Sequence, residues 1–313
     1  MKKKILVVGS IMQDLIVQTD KAPTSGESVF GLSFASAPGG KGANQAVAAS
    51  KAGTDVTMIG KIGNDPFGKN VISAIENNGV STSSILMSKN VSTGVAVITV
   101  EVKKDGNTNS ICVVPGSNMD ISLDEIKYLE NEIKQYDAVI LQLEISMEVN
   151  EYVAKIAKQN GVPVFLNPAP YKPMSKQLLS CVDFIIPNEH EASDITGIKL
   201  KETDASKEEV VLMGKELLSL GVKNCIITLG KNGSVYINED EIYFNPAIIC
   251  ENVVDPTAAG DTFIGYFVAS YVKGINIKEC MRIASYASKI TVSRLGAMPS
   301  IPSYSEVDKD MNS

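Results

Sequence analysis

Between Ser122 and Gly233, apolar runs of strand length alternate with helix-length amphipathic segments, and no other feature of the chain constrains its fold as tightly. Ser122-x-x-Glu125 is a capping box ahead of Leu123, Ile126, Leu129 and Ile133, which share one helical face. Ala138–Leu143 reads as a strand, 148–159 as a helix ending at Gly161, and Val162–Leu166 as the next strand. Val182–Ile186 is a further strand, Ser206-x-x-Glu209 caps a helix through Leu218, and Cys225–Ile227 is a strand again. Strand, helix, strand at this spacing calls for right-handed crossovers between parallel neighbours. The predicted fold class is α/β: a doubly wound, mostly parallel sheet flanked by helices.

The polar residues of this region fall in one place. Glu144, Asn167, Asn188 and Thr228 each stand at the C-terminal end of a predicted strand. That edge of an open α/β sheet is where ligands bind. Nearer the N-terminus, Ile5–Val8 and Val56–Gly60 are continuous apolar runs suited to strands buried on both faces. Ile11–Val17, Val29–Ala35, Gly94–Val102 and Ser110–Val114 read as shorter strands, and Lys104-Asp105-Gly106-Asn107 carries the Asp-Gly hairpin signal. They predict a small antiparallel sheet from about 11–37 and 94–115, serving as a lid or a subunit contact, within a single domain spanning 1–313.

Two stretches carry chemistry. Gly39-Gly40-Lys41-Gly42 opens a predicted helix, with Asn44 and Gln45 following; glycines permit positive φ and close backbone approach to a ligand. At the other end, Ala258-Ala259-Gly260-Asp261 precedes Phe263, Ile264, Phe267, Val268 and Val272 at helical spacing, after a β-leaning run at Ile248, Ile249, Val253 and Val254. Amides at a helix N-terminus lack partners and attract anions, and small side chains let an anion approach them. A carboxylate there, Asp261, suits proton handling or simple capping. Gly63–Asn70 nearly spells G-x-x-x-x-G-K-S/T, but Asn70 replaces the hydroxyl residue. Asp65 as N-cap and Pro66 at the first helical position account for it more simply.

The net charge of −7, with no Trp and no basic stripe, argues against a nucleic-acid surface. An acidic chain that handles phosphates has to rely on local backbone dipoles and bound cations. Cys112, Cys181, Cys225, Cys250 and Cys280 are scattered, without a C-x-x-C pair, and read as reduced thiols. The basic start followed by Ile5–Val8 is too short to be a signal peptide. No apolar run reaches the roughly 20 residues of a membrane span. The expected location is cytoplasmic.

Taken together, Gly39–Val47, Gln142-Leu143-Glu144, Asn167-Pro168-Ala169-Pro170, Pro187-Asn188-Glu189-His190-Glu191, Thr228-Leu229-Gly230 and Asp255–Phe263 resemble the ribokinase-like (PfkB) carbohydrate kinases along nearly the whole chain. The resemblance implies an ATP-dependent phosphotransferase acting on a sugar hydroxymethyl group. It makes Asp261 the catalytic base, with the amides of Ala258, Ala259 and Gly260 as the anion hole. Met12, Asp14, Gly40, Lys41, Asn44 and Glu144 would surround the sugar, and Asn188, Thr228, Gly230 and Gly233 the nucleotide. Glu191, in N-x-x-E with Asn188, would position Mg2+ through water. Asp255, Thr257, Thr291, Arg294, Gly296 and Ser300 match the positions of a monovalent cation site, here K+. His190 is a spacer in that motif. The implied partners are a small pentose and ATP, with no nucleic acid or membrane, and a homodimer formed through the lid sheet.

Two residues depart from the family pattern. Pro256 replaces a common Thr in a turn that suits its fixed φ. Met12 stands where relatives carry Asn in Ser-Ile-Asn-x-Asp. A thioether offers a sugar hydroxyl at most a weak acceptor, while it packs well against CH2. The expected activity is therefore phosphorylation of the pentose 5-hydroxyl with 2-deoxyribose preferred; the alternatives are D-ribose, or another sugar or nucleoside.

Overall fold

A computed structural model of the chain describes residues 2–103, 108–201 and 204–313. The hairpin signal at Lys104–Asn107 lies outside the described residues. The main sheet runs, edge to edge, through Ile242–Asn245, Ser234–Ile237, Asn224–Thr228, Phe184–Ile185, Val164–Asn167, Ala138–Gln142, Lys4–Val8, Asp55–Ile59 and Val80–Ser81. Neighbours are parallel from Asn224–Thr228 to Val80–Ser81, and an antiparallel hairpin closes the first edge.

The first strand shows why its sequence is continuously apolar. Ile5 and Val7 enter one core, shared with Ala46, Val47, Phe267 and Ala284; Leu6 and Val8 enter a second, shared with Val153, Ala157 and Leu217. All four of these side chains are fully buried. Burying a side chain of this size stabilises by about 1.5–3 kcal/mol relative to leaving it exposed. Helices therefore cover both faces, as a doubly wound sheet requires.

Two helices on one face set up the site. Lys41–Lys51 and Ala259–Val272 approach so closely that a Cβ on Gly265 would lie 2.4 Å from Ala48 Cβ and 2.7 Å from Gln45 O. Without a side chain at Gly265, the two helix starts lie side by side. Below them Phe165 and Phe184 stack at 4.8 Å, edge-on to Phe267 and Tyr271, and the Tyr266 hydroxyl donates to Pro302 O at 2.8 Å.

The small sheet has the order Ser33–Gly39, Met12–Thr19, Gly94–Glu101, Thr108–Val114. Its two outer pairings are antiparallel, and the central one, Met12–Thr19 with Gly94–Glu101, is parallel. The second strand lies four residues beyond the predicted Val29–Ala35. Its register against Met12–Gln18 uses Ser33–Gly39, which leaves Val29, Phe30 and Leu32 exposed. Pairing overrode the local apolar signal.

Two other expectations changed. The helix after Ser122 keeps its capping box and fully buries Ile126, Leu129 and Ile133. It is split into Leu123–Ile126 and Leu129–Glu132, because Glu130 N and Asn131 N bond carbonyls three residues back. The β-leaning run Ile248–Val254 is not a strand: residues 246–258 form neither strand nor helix. Its apolar side chains line a cavity instead. At Gly63–Asn70 the capping reading holds, with Asp65 accepting from Gly68 N at 2.9 Å and Pro66 opening the helix Pro66–Asn77. Among the described residues, no helix is long and apolar enough to cross a membrane.

Candidate active site

The helix Ala259–Val272 begins without a side-chain cap, and its N-cap Ala258 is left-handed at φ 62°. That conformation costs a non-glycine residue about 1–2 kcal/mol. Ala259 N donates to Pro256 O at 3.2 Å and Thr262 N to Ala258 O at 2.8 Å. Among the described residues, the Ala258, Gly260 and Asp261 amides have no protein acceptor. A Cβ on Gly260 would meet no protein atom within 4 Å, so this end of the helix borders open space. Free amides and the positive end of the helix dipole suit it to an anion.

Two cavities meet here. One, of about 220 Å³, is polar and lined by Lys41, Asn188, Glu191, Ala258 and Asp261 among others. The second, of about 450 Å³, is mostly apolar, with Ile248, Ile249, Val253, Phe263 and Val292 in its wall beside Gly230 and Gly233. Thr228, Pro256, Ala259 and Gly260 line both. A charged group in the first can thus be continuous with a flat apolar group in the second.

Asp261 lines the polar cavity and is 7% exposed. Its Oδ2 accepts from Asn44 Nδ2 at 3.0 Å and its Oδ1 from Gln45 Nε2 at 2.9 Å. The glycine-rich helix start brings the remaining predicted sugar residues together. Of its three glycines only Gly40 takes positive φ, 94°. The other two allow close approach: a Cβ on Gly39 would meet Asp14 Oδ2 at 2.3 Å, and one on Gly42 would meet Gly9 C at 2.6 Å. Glu144 Oε2 accepts from Lys41 N at 3.1 Å and from the Ser10 hydroxyl. Met12 is buried, paired with Gly39 and Gly94, and shares a strand face with Asp14 two residues on.

The charges are mutually dependent. Burial first, then Glu144 and Asp261, pushes the Asp14 carboxyl up to about 7. Burial alone would depress the Lys41 ammonium, but Asp261, Glu144 and Glu191 outweigh it and hold its pKa above the usual lysine value. Burial raises the Glu191 carboxyl, against the lowering effect of the Asn188 amide and Lys41.

Asn188 and Glu191 form a reciprocal capping box at the helix Glu189–Thr196: Glu191 N donates to Asn188 Oδ1 at 2.8 Å and Asn188 N to Glu191 Oε2 at 2.9 Å. One Glu191 oxygen is left for a ligand. Asn188 also bridges to Thr228 across the sheet edge. Around the predicted cation position, Asp255 Oδ1 accepts from Thr257 N and Oγ1 at 2.9 and 2.6 Å, and Oδ2 accepts from Gly296 N at 2.9 Å. Thr291 and Ser300 are buried there with their hydroxyls on Ala287 O and Ala297 O. The Arg294 guanidinium is engaged by Glu306 at 2.6 Å, so this residue can offer a cation only its carbonyl. The donors are all hard oxygens, which suits magnesium at Glu191 and a monovalent cation at the loop.

Several contributors are given no site role by the sequence reading: Gln45, Ser10, and the apolar strap Ala247–Val253 with Ser285, Ser288 and Lys289. Gln45 had a signal, a primary amide within an alanine-rich helix. The strap had only apolar residues, which read as a strand.

Comparisons with known proteins place the chain in a family. The profile of the pfkB family carbohydrate kinases matches residues 2–303. Schizosaccharomyces pombe ribokinase is 38% identical over 315 residues, covering 98% of each chain, and Salmonella typhimurium deoxyribokinase is 33% identical over 306 residues, covering 97% of each. The structure of Arabidopsis thaliana ribokinase complexed with ribose and ATP matches with a TM-score of 0.91 at 32% identity, covering 100% of both chains. Matched along almost its entire length by this profile and by these relatives, the chain belongs to the pfkB family of carbohydrate kinases.

Proposed function

We propose that the enzyme transfers the γ-phosphoryl group of ATP to the 5-hydroxyl of a pentose, with D-ribose the sugar that similarity to its relatives favours. The observation that carries this reading is the placement of the Asp261 carboxylate where the polar cavity meets a free helix N-terminus. Asp261 takes the proton from the sugar hydroxyl as its oxygen bonds to the γ-phosphorus and the bond to the ADP oxygen breaks. The Ala258 and Gly260 amides, with Ala259 beside them, meet the charge on the phosphoryl oxygens. One such preorganised donor is worth about 2.7–4 kcal/mol. Lys41 adds a positive charge on the same cavity. The apolar cavity takes the adenine and ribose of ATP, bordered by Thr228, Gly230 and Gly233, with Asn188 toward the phosphates. The test is ATP consumption dependent on added pentose: no pentose-stimulated ADP release would end this reading.

Met12 supports a second reading of the sugar. It is buried on the face that carries Asp14, and its thioether offers a hydroxyl at most a weak acceptor. Leaving a hydroxyl unpartnered costs about 1–3 kcal/mol, so 2-deoxyribose gains on ribose if the missing group falls at Met12. The ratio of kcat/KM for the two sugars decides between them. On this second reading Met12→Asn shifts the ratio toward ribose by about tenfold. A wild-type preference for ribose that Met12→Asn leaves unmoved refutes it.

Glu191 would hold Mg2+ through water, and Asp255, Thr257, Thr291, Arg294, Gly296 and Ser300 would hold K+ beside the anion hole. These cations would supply the positive charge that a chain of net charge −7 lacks. The small sheet closes over the sugar as a lid and excludes water from the transferred group. Its exposed apolar side chains, Phe34, Ile111 and Val113 among them, suit a homodimer contact.

A further inference from the structure

Gln45 is fully buried in the helix Lys41–Lys51, whose other buried residues, Asn44 apart, are glycine, alanine and valine. An unsatisfied primary amide in such a place is strongly disfavoured. Here it is satisfied from three separate elements. Its Nε2 donates to Asp261 Oδ1 at 2.9 Å and to Asn167 Oδ1 at 3.2 Å, and its Oε1 accepts from Gln142 Nε2 at 2.7 Å. Asn167 Nδ2 in turn donates to Ile186 O at 3.0 Å, and Asn150 Nδ2 to Gln142 O at 2.9 Å.

The chain of bonds has one direction. Asn167 has its amide nitrogen on a backbone carbonyl, so its oxygen must face Gln45. Turning the Gln45 amide over would set its oxygen against both Asn167 Oδ1 and Asp261 Oδ1, and its nitrogen against the Gln142 amide nitrogen. The network therefore fixes Gln45 with its two N–H groups toward oxygen acceptors. This matters for Asp261 because the terminal torsion of an aspartate is broad and weakly restrained by itself. Asn44 grips only Oδ2. A second donor on Oδ1, from a side chain anchored to two strand ends, fixes the carboxylate plane.

We propose that Gln45 is a positioning residue for phosphoryl transfer, holding the Asp261 carboxylate in the plane from which it takes the sugar proton, with Gln142 and Asn167 orienting Gln45. The proposal rests on the reading of Asp261 as the base. Gln45 touches neither sugar nor nucleotide in this role, so it acts on kcat rather than on KM.

The test is a double-mutant cycle with steady-state kcat and KM for pentose and ATP. Gln45→Met removes the donors with little change of volume. It is expected to lower kcat by about ten- to a hundredfold while both KM values stay within about threefold. On an Asp261→Asn background the same change is expected to lower kcat by less than about threefold, because there is no base left to orient. Equal proportional losses on both backgrounds would show a purely structural role and overturn the proposal. Near-normal kcat for Asp261→Asn alone would instead remove the base, a different result from an Asp261→Asn enzyme that fails while Gln45→Met does not. Gln142→Met serves if Gln45→Met does not fold. It leaves Gln45 in place but frees its oxygen, and is expected to lower kcat by about three- to tenfold at unchanged pentose KM. An unchanged kcat in that variant also overturns the proposal.

Discussion

Replacing Asp261 by Asn perturbs the site in two ways that the structure separates. The carboxylate accepts from an amide on each oxygen, Asn44 at 3.0 Å and Gln45 at 2.9 Å. An asparagine can accept from only one of them and must turn its own NH2 toward the other, leaving donor against donor at a cost of about 1–3 kcal/mol. The base is lost as well, and general-base catalysis of this kind contributes about 10²–10⁴ in rate. Sugar binding should change little, because removing one of three clustered carboxylates also relieves Asp14, which Asp261 helps to push up. The expected result is a kcat lower by at least about a hundredfold with KM for pentose and ATP within a few-fold, read by coupled ADP release. The midpoint of thermal unfolding, measured alongside, reports the donor clash separately. A kcat within about fivefold of wild type would refute the reasoning, whatever the stability does.

Other consequences are open to measurement. Asp14, raised to about 7, is protonated below that pH and loses an acceptor for the sugar, so pentose KM should rise as pH falls through about 7 and Asp14→Asn should flatten that dependence. Because the folded state holds this proton more tightly than an unfolded aspartate near pH 4, the group's contribution to stability is greatest below about pH 4. It is lost as pH rises through about 7, and a pH series of thermal midpoints with and without Asp14→Asn shows it. Gly265→Ala puts a Cβ 2.4 Å from Ala48 Cβ and 2.7 Å from Gln45 O; it should destabilise by about 1–3 kcal/mol in denaturant melts and lower kcat by spreading the two helices. Exchanging potassium for sodium should lower kcat, and Asp255→Asn, which loosens the bonds to Thr257 and Gly296, should abolish the difference. Equal rates in both salts for the wild type would remove the monovalent cation from the reading.

The sheet was legible because its signals are local. Ile5–Val8 is apolar without alternation for the plain reason that both faces are covered, and the capping boxes at Ser122 and Ser206 each form within four residues. The edge hairpin Ser234–Ile237 and Ile242–Asn245 was missed although its turn is also local, with Asn238 Oδ1 accepting from Asp240 N and Glu241 N. The position of Ser33–Gly39 was illegible for another reason. Its bounds are set by pairing with Met12–Gln18, while the apolar residues Val29, Phe30 and Leu32 pointed to a stretch four residues earlier.

The site divides along the same line. The N-x-x-E pair is recognised through the family resemblance, and Asp261 and Lys41 stand in compact stretches whose residue types and spacing point to an anion site. Gln45 and the strap do not. What makes Gln45 functional is contact with Asp261 across 216 residues, with Asn167 across 122 and with Gln142 across 97. No window of sequence contains that information. Ile248, Ile249 and Val253 look like a strand because local composition cannot tell an apolar residue facing a sheet neighbour from one facing a ligand cavity. The acidic chain solves its phosphate problem through the same long-range assembly. Gly265 lets two helices touch, and their contact sets free amides, Lys41 and a doubly held carboxylate around one small cavity. An anion there is met by fixed dipoles already in place, which is why an overall charge of −7 need not repel it.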